Sequence, residues 1–318
     1  MLAIFLKTVP FFLLIGLGYL AGRWRWMSAD AVVALTRFVF YFALSAMLFQ
    51  FASSIPLTEI FEPGFVAAYV LGTGAVYVLV TAVALMRGTG RAQAAIEAQC
   101  GVVGNVGFLG LPMLVILLGP QAAGPMLMVL SVDLLLFGSL VVIAISMARG
   151  GDGSALAVVG RGLVRNPMVM SMAAGLTWGA VGVELPVPAG EFLTLLGAAA
   201  TPCALFTIGA SLAEKSAERV SVALWLSFAK LVLHPLAVAV LALGVFGVAA
   251  FPAGVMVAAA AMPVAGNVYI IAQHYGVAPA RASSAILVST VLAVASLSAV
   301  IALVAGPGWP PMGSGGGM

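Results

Sequence analysis

The chain has 318 residues, 63% of them hydrophobic and 7% charged, with a mean hydropathy of +1.20. No soluble domain of that size could hide so much apolar surface, so the sequence is that of an integral membrane protein. A net charge of only +3, carried by few titratable groups, excludes a nucleic-acid-binding patch.

Apolar stretches of about 18 or more residues recur along nearly the whole chain. Hydropathy predicts ten spans, over residues 3–21, 31–53, 64–86, 92–118, 121–147, 167–183, 190–212, 221–243, 252–275 and 280–304. The first could pass for a signal-peptide core. Its flank, Gly22-Arg23-Trp24-Arg25-Trp26, has no small-residue cleavage pattern and alternates cation with indole, which suits a retained helix anchored at an interface. The linkers carry turn chemistry, as in Ser28-Ala29-Asp30, Glu62-Pro63-Gly64 and Gly119-Pro120. Only residues 149–166 are long enough for a mid-chain connection, and the Gly/Pro-rich tail 306–318 is expected to be disordered.

Positive residues mark cytoplasmic loops. Arg23 and Arg25 follow the first span, Arg87 and Arg91 the third, Arg149, Arg161 and Arg165 the fifth, Lys215 and Arg219 the seventh, and Arg281 the ninth. The alternate loops have no Lys or Arg and hold Glu59, Glu62, Glu184 and Glu191, so both termini are expected outside the cytoplasm. With five spans in each half, a second copy of the unit enters the membrane from the opposite side, as an inverted repeat: residues 1–148 and 161–305 of one membrane domain. A shift of about 157 positions matches Pro10 with Pro167, Gly18 with Gly175, Leu48-Phe49 with Leu205-Phe206, Ser54 with Ser211 and Gly119 with Gly276. Asn105 and Asn267 need a slip of about five residues more, so the regions are equivalent and the asparagines are not.

Two polar interruptions stand out. The fourth span contains Gly104-Asn105-Val106-Gly107 followed by Pro112, and the ninth contains Pro263-Val264-Ala265-Gly266-Asn267. Broken helices are tolerated in a membrane only where they line an enclosed or wet cavity, and half-helix starts there favour an anion. Glycines also permit close helix packing, and asparagines bond across helices in any bundle. Two such segments in matching regions of opposite repeats favour a substrate site.

Asp133, near the middle of the fifth span, is expensive there and faces protein or water. It is open to accepting a coupling proton, ligating sodium, orienting substrate, or sitting neutral in a hydrogen bond. Lys230 and His234 lie one turn apart on one face of the eighth span. A cation there could balance Asp133, attract an anionic substrate, snorkel or form a structural pair. Glu97 is expected to reach interfacial water or Arg91. Cys100 and Cys203 sit in apolar spans as small hydrophobes, which speaks against a disulfide or a metal site. No metalloprotease motif, phosphate loop, aspartate-rich cluster or nucleophile elbow is found, so no enzyme is indicated.

The chain resembles the auxin efflux carrier family, which includes plant auxin exporters and bacterial malonate and malate carriers. The residues that carry the resemblance are Leu14 to Arg23, Arg37 to Phe49, Gly104 to Pro112, Asn166-Pro167, Gly209-Ala210-Ser211-Leu212, Lys230 to Pro235 and Ala261 to Tyr275. It implies an all-α fold of ten helices shared with bile-acid/sodium symporter-like carriers. Helices 1, 2, 6 and 7 would form a scaffold, and helices 3–5 and 8–10 a transport domain around the crossing of discontinuous helices 4 and 9. It also implies that Asn105 and Pro263 are the crossover residues, that Asp133 falls near a site-facing position, and that the protein is a homodimer through its scaffold. Where plant exporters have Pro before the asparagine, this chain has Gly104, and Ala43-Leu44-Ser45 replaces the common Ala-Leu-Pro. These departures weaken a claim for auxin itself and leave the architecture intact.

The reading is a secondary active or facilitative transporter in the cell membrane, moving small organic anions by elevator-type alternating access. Mono- or dicarboxylates like malonate, malate or auxin would bind at Gly104, Asn105, Val106, Gly107, Pro263, Gly266, Asn267 and Asp133, with Asp133, Lys230 and His234 as coupling or charge partners. No cofactor is expected beyond a coupling proton or sodium ion; the partners are the anion, the lipid bilayer and a second copy. A sodium-coupled symporter of larger organic anions, such as bile-acid-like or keto acids, is the alternative on the same fold. A channel or a membrane-embedded enzyme are the alternatives from other classes.

Overall fold

Helix starts and stops fall where capping chemistry puts them. Ser28 accepts the Ala31 N–H at 3.2 Å and opens one helix. Asn166 accepts from Met168 at 3.0 Å with Pro167 in the first helical position, and opens another that Gly182 ends in the left-handed region at φ 70°. The structure, a computed structural model, describes residues 2–54, 62–149, 155–213 and 220–304. The expected disordered tail 306–318, and Glu59, Lys215 and Arg219, lie outside the described residues.

In chain order the helices are α1 (Leu2–Arg23), α2 (Ala29–Ser53), α3 (Pro63–Met86), α4a (Arg91–Val102) and α4b (Val106–Leu118), α5 (Pro120–Ala148), α6 (Ala155–Arg165), α7 (Pro167–Val181), α8 (Val187–Leu212), α9 (Val220–Val245), α10a (Ala250–Ala260) and α10b (Gly266–His274), and α11 (Pro279–Val304). Six of them, α2, α3, α5, α8, α9 and α11, are long and apolar enough to cross a membrane by length and composition. Residues 9–23 of α1, α4b, α7 and α10a are shorter apolar helices. Among the described residues there is no strand beyond one isolated bridge.

The fourth and ninth spans are each two helices, as their interruptions suggested, because glycine and proline interrupt the hydrogen-bond ladder at 103–105 and 261–265. The connection 149–166 contains α6, in which Val159 and Leu163, one turn apart, are half-buried while Arg161 and Arg165 are exposed.

α4a and α10a run through the middle of the molecule: residues 94–102 and 253–265 are all buried. Their many alanines and glycines let other helices approach closely from all sides. α3 packs along α4a, the C-terminal half of α5 also meets α4a, α9 lies beside α10a, and α11 covers the N-terminal half of α9. Large apolar side chains such as Leu13, Val78, Met86, Ile116 and Leu195 are exposed on the outside.

α1 packs on the C-terminal half of α8, and α7 on the C-terminal half of α2, with backbones nearly touching. A Cβ at Gly18 would strike the Phe206 carbonyl, and one at Gly175 would lie 2.6 Å from the Phe49 carbonyl oxygen. A Cβ at Gly22 would meet the Ala210 oxygen at 2.7 Å, and one at Gly179 the Ser53 oxygen at 3.0 Å. These contacts are reciprocal: each residue of the first pair stands 157 positions from its counterpart in the second, and likewise for the other two.

At one end, Glu97 of α4a is fully buried and accepts hydrogen bonds from Arg87, the C-cap of α3, and Arg281, in the first turn of α11. The expected partner Arg91 is exposed instead, since six residues along a helix turn it away from Glu97, whereas Arg87 reaches across the interhelical turn.

Candidate functional site

The two helix breaks are joined to each other. Val103-Gly104-Asn105 and Pro263-Val264-Ala265 form a short antiparallel bridge with Gly104 opposite Val264. The Asn105 N–H donates to the Pro263 carbonyl at 2.8 Å and the Ala265 N–H to the Val103 carbonyl at 3.1 Å. Two unwound backbones inside apolar surroundings satisfy one another, as the cost of buried unpaired amides requires. Ser289 of α11 ties the second break further by accepting the Val264 N–H at 3.1 Å.

From this bridge the chain leaves in four directions: α4a and α10a end at it, and α4b and α10b start beside it. The first N–H groups of a helix have no intrahelical acceptor, so two partly positive helix starts lie close to one crossing. Asn105 is the residue before α4b; its carbonyl accepts from Leu109 at 3.1 Å and Gly110 at 2.9 Å, the wide i→i+5 turn that opens α4b. Its side chain is 7% exposed and caps nothing in α4b. Gly104, Val106, Gly107 and Pro263 are buried at the same place. Gly266 and Asn267, the first residues of α10b, are exposed.

Lys230 comes to the crossing from α9. Its side chain is fully buried, and Nζ donates to the carbonyl of Ala260, the last residue of α10a. It also lies against the first break: a Cβ at Gly104 would be 3.1 Å from Nζ. One turn on, His234 Nδ1 is 3.1 Å from the same ammonium, and Nε2 is 2.9 Å from Thr73 Oγ1 in α3. A protonated Lys230 would make Nδ1 the acceptor and send the Nε2 proton to Thr73. The lysine and histidine that sequence placed on one helix face do meet, and Lys230 is buried where it could have snorkelled.

Asp133 is in the next layer. It opens a wide turn in α5 and accepts a hydrogen bond from the Tyr69 hydroxyl at 2.8 Å, while Oδ2 is buried with no hydrogen-bond partner among the described residues. Gln99 Oε1, one turn before the first break, is buried and unpartnered in the same sense. Buried acceptors are normally satisfied, so these two are acceptors that an incoming donor would satisfy.

Sequence reasoning missed Tyr69, Thr73 and Ser289. A signal existed for the first two: Tyr69, Thr73, Tyr77 and Thr81 recur every fourth residue in an otherwise apolar helix, a polar stripe on one face. Ser289 carried none, because one serine in a small-residue helix is ordinary.

Residues 3–301 match the family described as membrane transport protein. A protein of Rhizobium meliloti (strain 1021) named "Putative malonate transporter" is 34% identical over 305 residues, which cover 93% of this chain and 94% of the relative.

Proposed function

Since the chain belongs to the membrane transport protein family, the auxin efflux carrier family that its sequence resembles, it is a multi-pass membrane transporter and not an enzyme; we propose that it carries small dicarboxylates of malonate size by alternating access. The observation that carries this reading is the hydrogen-bonded crossing of two broken helices, with two helix starts and the Asn105 amide beside it. Helix starts and an uncharged amide suit a carboxylate, and a compact crossing suits a short acid better than a steroid-sized one. Asn105, Asn267 and the backbone at 104–107 and 263–266 would hold the substrate, with Asp133 oriented beside them by Tyr69.

Ten spans in two inverted five-helix repeats account for the helix order and are supported by the reciprocal contacts of Gly18 with Phe206 and Gly175 with Phe49. Both termini would face away from the cytoplasm in the cell membrane, given the basic loops. α1, α2, α7 and α8 would be the scaffold and the remaining spans the moving body. Soft contacts at the seam between them favour sliding: Phe40 stacks on Phe108 at 6.5 Å, and the Ser131 hydroxyl, which donates to the Leu127 carbonyl of its own helix at 2.6 Å, meets across the seam only the Met172 thioether, at 3.4 Å. A homodimer through the scaffold completes the proposal.

The test is uptake of labelled malonate into liposomes holding the purified protein. Saturable uptake competed by other short dicarboxylates is expected. Flux that grows linearly with concentration, or competition by bile-acid-like compounds alone, would overturn it.

A further inference from the structure

In carriers built on broken helices, the C-terminal ends of the half-helices and the unwound carbonyls between them are where a coupling sodium ion sits. Here that place has a resident. The Ala260 carbonyl is among the last acceptors of α10a, which the helix itself leaves without a donor, and the Lys230 ammonium donates to it. The same ammonium is packed against Gly104 at the other break, so one positive charge touches both interruptions. It is held there from behind by His234, which is itself held by Thr73 across from α3.

We infer that Lys230 is a tethered cation standing where a coupling sodium would bind, so that the carrier takes its anion without sodium. The inference rests on the carrier reading above. Gly104 is what admits the lysine: any side chain there would press on Nζ and Cε, at 3.1 and 3.2 Å from its Cβ. Asp133 forms no ion pair with Lys230 within 4 Å among the described residues. Asp133 interacts with it only through space, so the ammonium's direct contacts are with the helix end and with His234.

Two measurements in matched sodium and N-methylglucamine chloride test this. Wild-type protein should unfold at the same temperature in both salts and take up malonate equally in both. Lys230→Ala bares the Ala260 carbonyl and opens a cavity, so it should lose uptake in the sodium-free salt and gain a sodium-specific thermal shift of about 2–4 °C. Lys230→Arg keeps the charge and should stay indifferent to sodium. A sodium-specific shift or stimulation of uptake in the wild type overturns the inference whether or not the variants fold, and so does a folded Lys230→Ala that is blind to sodium. The thermal readout needs no substrate: the expected shifts without any malonate uptake would uphold the tethered cation and sink the carrier reading alone.

Discussion

The contacts of α1 with α8 and of α7 with α2 repeat one another at Gly18 and Gly175 and at Gly22 and Gly179, though not at Gly209, whose counterpart is Ala52, while the crossing repeats itself only in its backbone. At the first place both halves of the chain spend glycines on the same contacts, 157 positions apart. At the second, the bridge pairs Gly104 with Val264, and its two hydrogen bonds exchange under an offset of 160. By that offset the counterpart of Asn105 is Ala265, and that of Asn267 is Gly107. Lys230 likewise stands 157 positions from Thr73, a hydroxyl that ends the lysine's own hydrogen-bond chain. Symmetry is thus kept where close packing needs it and broken at the crossing, where Asn105, Asn267 and Lys230 have no like counterpart.

Replacing the glycines tests the symmetric region and should have the largest effect. Gly18→Leu and Gly175→Leu each force a branched side chain into a facing carbonyl, where even one carbon atom has no room. Overpacking of this kind costs at least about 1–3 kcal/mol, and more against backbone. Both variants should express poorly or elute as aggregate in size-exclusion chromatography, and to a similar degree. A well-folded Gly175→Leu beside an aggregated Gly18→Leu would break the reciprocity.

Changing the asparagines tests the asymmetric region. Asn105→Ala should lower the apparent affinity for malonate by about 10- to 100-fold, the worth of a hydrogen bond to a charged group, with little change in thermal stability because its side chain caps nothing in α4b. Asn267, exposed at the start of α10b, should cost less when changed to Ala. Equal losses in competition assays would restore the symmetry that the structure denies the two residues.

How far the sequence shows this depends on the kind of signal. Apolar runs and proline or glycine punctuation made the helices legible, because the bilayer imposes length and the backbone imposes stops. The breaks at Gly104 and Pro263 were legible for the same reason. That they cross was expected too, but the hydrogen bonds that join them were not, since a bridge between positions 160 apart leaves no local pattern. Lys230 and His234 could be placed on one face by their spacing of four, but the acceptor of the ammonium is a backbone carbonyl, and every residue type offers one. Glu97 was expected to reach interfacial water or Arg91, whereas tertiary packing gave it Arg87 and Arg281.

Asp133→Asn should act more gently than Asn105→Ala. The amide oxygen can still accept from Tyr69, so the fold survives, while the ionisable group is gone. If Asp133 carries a proton during transport, uptake measured over a range of pH should lose its pH dependence with only a few-fold change at its maximum. A variant whose profile overlays the wild type's would leave Asp133 as an anchor for Tyr69.

Ser289→Ala is the smallest change and addresses why the second break needs support that the first lacks. The Val264 N–H has no acceptor on the opposing strand and uses the Ser289 hydroxyl, at 3.1 Å. Gly104, opposite it, has no such tie to a side chain, but the flanking Asn105 N–H reaches Pro263. Because proline at 263 has no N–H of its own, the second break has one donor fewer with which to hold itself in place. Removing the hydroxyl leaves a buried amide unpaired and should cost about 1–3 kcal/mol, read as a fall of a few degrees in unfolding temperature. Serine at 289 holds backbone and touches no substrate in this scheme, so malonate affinity should be nearly unchanged in the folded fraction. A lowered affinity with unchanged stability would move Ser289 from the support of the crossing to its contents.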